Sequence, residues 1–105
     1  MCYIEGYIGE GGYLDISNLT QLEFLDLYDN NLTSVDISNN PNLNEIRLNF
    51  TYNITTMDFS NNLHLETILL NQSNLQGTLD VSMCENLTEL NVSQNPGLTL
   101  SLIHI

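Results

Sequence analysis

Four Asp-x-Ser triplets are the part of this sequence best suited to chemistry: Asp15–Ser17, Asp36–Ser38, Asp58–Ser60 and Asp80–Ser82. A file of carboxylates can hold a hard cation such as Ca2+. It can equally accept hydrogen bonds from neighbouring amides and hydroxyls and face water. The glycine-rich nonapeptide that binds Ca2+ in β-helices is absent, so local hydrogen bonding is the favoured reading of Asp15, Asp36, Asp58 and Asp80. A Ca2+ site on those four residues is the alternative. The two histidines, His64 and His104, stand outside any C-x-x-C or H-x-x-x-H spacing, which argues against zinc. A Ser-His-Asp triad cannot be judged from chain order, but the repeat described below already accounts for each Ser and Asp near His64. The "GEGG" at 9–12 is not followed by Lys and reads as a turn rather than a phosphate loop. The chain is therefore expected to be no enzyme and to need no cofactor.

The elements that position these aspartates emerge from self-similarity. "LDIS" at 14–17 returns as "VDIS" at 35–38, "MDFS" at 57–60 and "LDVS" at 79–82. In step with it run five apolar columns. One holds Leu22, Leu43, Leu65 and Leu87; another holds Leu25, Ile46, Ile68 and Leu90; a third holds Leu27, Leu48, Leu70 and Val92. The spacing within "LEFLDLYDNNL" is neither that of an amphipathic helix nor of one long strand. It fits one coil of a solenoid, with a bend followed by a short strand whose Leu25 and Leu27 point inward. Coils would stack about 4.8 Å apart through strand hydrogen bonds, each burying the apolar wall of its neighbour. The boundaries are 14–34, 35–56, 57–78 and 79–99, after an irregular segment or partial repeat at 1–13 and before a truncated fifth repeat at 100–105. Ile4 lies 21 residues before Leu25, so "CYIEGYI" is a candidate strand of a preceding copy. The absence of a recognisable cap at either end reads as a piece of a longer chain.

These residues carry a family resemblance. "LEFLDLYDNNL" matches the leucine-rich repeat pattern L-x-x-L-x-L-x-x-N-x-L at every fixed position. "LNEIRLNFTYNI", "LETILLNQSNL" and "LTELNVSQNPGL" match its first half well. The flanking "LTSVDISNNPNL" is similar to the short repeats of bacterial cell-surface leucine-rich repeat proteins such as those of Bacteroides, and more distantly to internalins. The resemblance implies short parallel β-strands on a concave face, extended or irregular segments on the convex side, and little or no α-helix. It also implies a surface or secreted setting, and a structural Asn that bonds the turn after each strand. Asn30 and Asn95 occupy that position; Thr51 and Ser73 replace it in the middle copies, where Asn53 or Asn74 is expected to take over the bonding.

Composition narrows the partners. Thirteen acidic side chains face one basic one, Arg47, for a net charge of −12. Such a surface repels phosphate backbones and anionic headgroups, and no apolar run is long enough to span a bilayer. Nucleic acid and membrane insertion are thus excluded as expectations, and a basic protein or a glycan is favoured. Side-chain alternation puts three columns on the concave face. The first is Phe24, Glu45, Thr67 and Glu89; the second is Asp26, Arg47, Leu69 and Asn91; the third is Tyr28, Asn49, Asn71 and Ser93. Folding leaves these columns free to vary, so they are the candidate binding residues. A spacer solenoid without a partner of its own is the competing reading. Seven N-x-S/T sequons occur, three of them the recurring "NLT" and the rest chiefly in loops, so the repeat accounts for them. Cys84 sits at the loop register of Asn40 and Asn62, and reads as a passive thiol too distant from Cys2 to pair with it.

Overall fold

The computed structural model describes residues 3–5, 13–27 and 32–101. Five short strands from successive coils, β1 (Tyr3–Glu5), β3 (Phe24–Asp26), β5 (Glu45–Arg47), β6 (Thr67–Leu69) and β8 (Glu89–Asn91), pair in parallel in that order. Each steps one coil along the stack: Ile4 faces Leu25, Leu25 faces Ile46, Ile46 faces Ile68, and Ile68 faces Leu90. The chain is a parallel β-solenoid, and among the described residues it contains no helix. The segment around Ile4 is the strand of a preceding coil, in the register its spacing from Leu25 predicted.

Alternation builds the core. In each of β3, β5 and β6 the central apolar residue is buried and its two neighbours are half-buried on the opposite face. Leu25, Leu27, Ile46, Leu48, Ile68 and Leu70 are completely inaccessible. Burying one such side chain is worth roughly 1.5–3 kcal/mol, and the same row repeated along the stack is what closes each coil on its neighbour. Strand-to-strand bonding continues past the strands themselves, from Leu48 N to Leu69 O and from Leu70 N to Asn91 O, both at 2.8 Å.

The opposite side carries the Asp segments. β2 (Tyr13–Leu14) pairs with β4 (Ser34–Val35), and β7 (Gln76–Asp80) pairs with β9 (Gly97–Ser101), again in parallel. Leu79 faces Leu100 and Asp80 faces Ser101, so the fifth copy begins in register at Leu100 as expected. Ile16, Ile37 and Phe59 are buried between exposed neighbours, and Val81 is buried between exposed Asp80 and half-buried Ser82. Each then enters a turn closed by an i to i+3 bond, as in Asn40 N to Ile37 O (3.1 Å) and Asn62 N to Phe59 O (3.1 Å).

Candidate functional site on the open face of the sheet

The outward columns line up as alternation requires. Phe24, Glu45, Thr67 and Glu89 are direct register partners, and so are Asp26, Arg47, Leu69 and Asn91. The third column is held by side chains: Asn71 N donates to Asn49 Oδ1 (2.9 Å) and Ser93 Oγ to Asn71 Oδ1 (2.7 Å). Tyr28, which would head this column, lies outside the described residues. Arg47, the only Lys or Arg of the chain, is engaged within the face. Its guanidinium pairs with Glu45 and sits 5.6 Å from the centroid of the Phe24 ring. At a half-exposed site such an ion pair contributes about 0–1 kcal/mol. An open cleft adjoins them at the strand-entry edge, lined by Glu23, Phe24, Asn42, Asn44, Glu45 and His64.

The Asp column stands apart from this face and is exposed. Every member closes an Asx turn: Ser17, Ser38, Ser60 and Ser82 donate their amides to Asp15, Asp36, Asp58 and Asp80 Oδ1 at 2.8–3.0 Å. The serine hydroxyl first, and the serine amide second, hold each carboxyl below the usual carboxylate range. Like charge from the coil before opposes this at Asp36 and Asp58. Among the described residues no group of three or more His, Cys, Asp and Glu side chains gathers as a metal site would require.

Two buried polar files cross the coils. The strand-exit file contains Thr51, Ser73 and Asn95; Asn30, expected to head it, lies outside the described residues. Here the structure overturns an expectation: Asn53 and Asn74 are exposed, and Thr51 and Ser73 do the bonding themselves. Their hydroxyls both reach Leu48 O, at 2.7 and 2.8 Å, and each other at 3.0 Å. Asn95 behaves as the structural Asn should. Its Oδ1 accepts from Ser73 N (3.1 Å) and Leu75 N (2.8 Å), and its Nδ2 donates to Leu70 O, Val92 O and Ser93 O.

The second file, on the Asp side, is absent from the sequence reading. Asn40 Nδ2 donates to Ile16 O (3.1 Å) and Leu19 O (2.9 Å) of the coil before; Asn62 Nδ2 repeats this with Ile37 O (3.0 Å) and Asn40 O (3.1 Å). Cys84 continues the file as a buried free thiol, 3.5 Å from Asn62 O. Burial, and then the Asp80 carboxylate, push that thiol's pKa up. Cys2 lies outside the described residues. The recurrence of a second Asn at one register in "SNNPNL" and "SNNLHL" was the available signal.

A further surface that the sequence reading passed over lies at the strand-exit turns. Phe50, Gln72 and Gln94 share one register, and all three hold left-handed backbone, with φ of 62°, 58° and 60°. An open cleft there is lined by Tyr52, Gln72, Asn74, Gln94 and Pro96.

Comparison with known proteins adds no name to this geometry. No family model matches the chain, and a search of curated proteins returns no significant relative. The fold defines it as a parallel repeat solenoid. No helix among the described residues is long and apolar enough to cross a membrane.

Proposed function

We propose that this chain is a non-catalytic binding module, a leucine-rich repeat segment of a surface or secreted protein, which takes a protein or glycan on the open, concave face of its sheet. One observation carries the reading. Two in-register columns of unlike side chains face outward from a core whose own columns are uniformly apolar. Repeat solenoids use extended faces of this kind for recognition, and Phe24, Leu69 and Arg47 supply anchors of the aromatic, apolar and guanidinium types. The acidic Asp26, Glu45 and Glu89 favour a basic partner, attracted in a salt-sensitive way. Hydrogen-bonded Asx turns support a structural role for Asp15, Asp36, Asp58 and Asp80 rather than Ca2+ binding.

The test is to probe the labelled chain on arrays of cationic peptides and glycans, alongside a variant with Phe24→Ser and Tyr28→Ser. Binding should fall in the variant while the melting temperature holds. Binding that survives the substitutions, or no binding at all, favours a spacer solenoid.

A further inference from the structure

The strand-exit turns differ in chemistry from the rest of this acidic molecule. Residues 49–52, 71–74 and 93–96 contain no charged side chain, in a chain with thirteen acidic ones. Stacking brings these stretches onto one edge, where Phe50 N bonds Asn71 O (2.9 Å) and Gln72 N bonds Ser93 O (3.1 Å). Two aromatic rings stand exposed at this edge. Tyr52 is 54% and Phe50 38% accessible, with centroids 6.4 Å apart.

Beside Tyr52 lies the open cleft of about 420 Å3, its floor and walls formed by amides and Pro96. Gln72 Nε2 donates to Gln94 Oε1, and Gln76 Nε2 donates to Asn74 Oδ1 (3.0 Å). That pairing leaves Gln94 Nε2 and Asn74 Nδ2 as donors and Gln72 Oε1 as an acceptor, without protein partners among the described residues. Holding Gln72 and Gln94 in left-handed backbone, where Gly is the relaxed residue, costs of the order of 1 kcal/mol each. Strain of this kind concentrates at ligand-contacting turns.

We propose that this edge binds a neutral carbohydrate. The exposed Tyr52 ring offers a flat apolar platform for the C–H face of a pyranose. The neighbouring amides offer donors and an acceptor to its hydroxyls, each of which both donates and accepts. The missing charge leaves phosphorylated and sulphated ligands without a counter-charge at this edge, and the chain's net charge of −12 repels them. This site is separate from the open sheet face and does not rest on that face's function.

The test uses the whole chain made in a bacterium, so that the sequons at Asn49 and Asn53 stay unglycosylated. It is titrated by NMR with hexasaccharides of glucose, mannose, galactose and xylose, and with a sulphated oligosaccharide as control. At least one neutral hexasaccharide should bind, shifting the side-chain amides of Gln72, Asn74 and Gln94. Tyr52→Ala should weaken that binding by about tenfold at unchanged melting temperature, and Phe24→Ser should leave it intact. The proposal falls if no neutral hexasaccharide binds, or if Tyr52→Ala and Gln94→Ala leave binding unchanged. It falls equally if the sulphated control binds as well, or if Phe24→Ser abolishes binding as completely as Tyr52→Ala does.

Discussion

The two buried polar files solve one problem with different amounts of bonding. At the strand-exit turns, Asn95 uses both ends of its amide and satisfies five backbone groups. On the Asp side, Asn40 and Asn62 use only their Nδ2 hydrogens, and their Oδ1 atoms are buried without a partner among the described residues. The carbonyls they reach are not wholly dependent on them, because Ile37 O and Asn40 O also accept the turn amides of Asn40 and Leu43. A file that needs donors alone can tolerate a thiol, and Cys84 fills the third position. A file that must both donate and accept needs an amide or a hydroxyl, and it holds Thr51, Ser73 and Asn95.

The comparison predicts unequal costs. Asn95→Ala should destabilise by about 3 kcal/mol, since it orphans buried amides and carbonyls together and each such group costs about 1–3 kcal/mol. Asn62→Ala should cost only about 1 kcal/mol, because each carbonyl keeps one bond and an unpaired oxygen is removed with the side chain. Urea denaturation of both variants reads the difference directly. Equal losses would break the distinction between the files.

How much of this was legible follows from the same contrast. The row Leu25, Ile46, Ile68, Leu90 could be read because one residue type recurs at one spacing, and parallel stacking is the arrangement that buries it. Ile4 could be added to that row by spacing alone. The file of Asn40 and Asn62 was hidden because Asn beside Pro and Ser signals an exposed turn, and nothing in the residue type says which of two adjacent Asn turns inward. Thr51 and Ser73 misled for the opposite reason. They break the Asn pattern, yet a hydroxyl close to the backbone reaches the same carbonyl. The open face was legible in position, since alternation fixes it, but its Arg47–Phe24 contact depends on rotamers that spacing does not set. The left-handed register was invisible, because Phe50, Gln72 and Gln94 are not residues that favour that conformation.

Phe50, Gln72 and Gln94 repeat that conformation at the strand-exit turns, which gives a third, smaller way to sharpen the contrast. Gln94→Gly should stabilise by about 0.5 kcal/mol, as relief of left-handed strain outweighs the added freedom of the unfolded chain. Gln76 is the control: at a position without positive φ, Gln76→Gly should destabilise. Thermal melts of the pair test the sign. A loss of stability in Gln94→Gly would mean that the side chain, rather than the strain, dominates at this turn.

The smallest effect is one of pH, and it should touch only one file. The folded carboxyls of Asp15, Asp36, Asp58 and Asp80 titrate below their ordinary range because serine hydroxyls and amides bond the charged form. A folded pKa below the unfolded one gives stability that is present above the unfolded value of about 3.9 and is lost as pH falls through the folded value. Protonation weakens the acceptor facing Ser17 N and Ser38 N, and so loosens the turns whose carbonyls Asn40 and Asn62 bond. Discharging thirteen acidic side chains also relieves repulsion across the whole chain, so an overall melting curve mixes two opposed trends. Hydrogen exchange at single amides separates them. Protection at Asn40 and Asn62, relative to that at Ser73 and Leu75, should drop as pH is lowered from about 4 towards 2. If Ser73 and Leu75 lose protection first, the Asx turns do not support the file beside them.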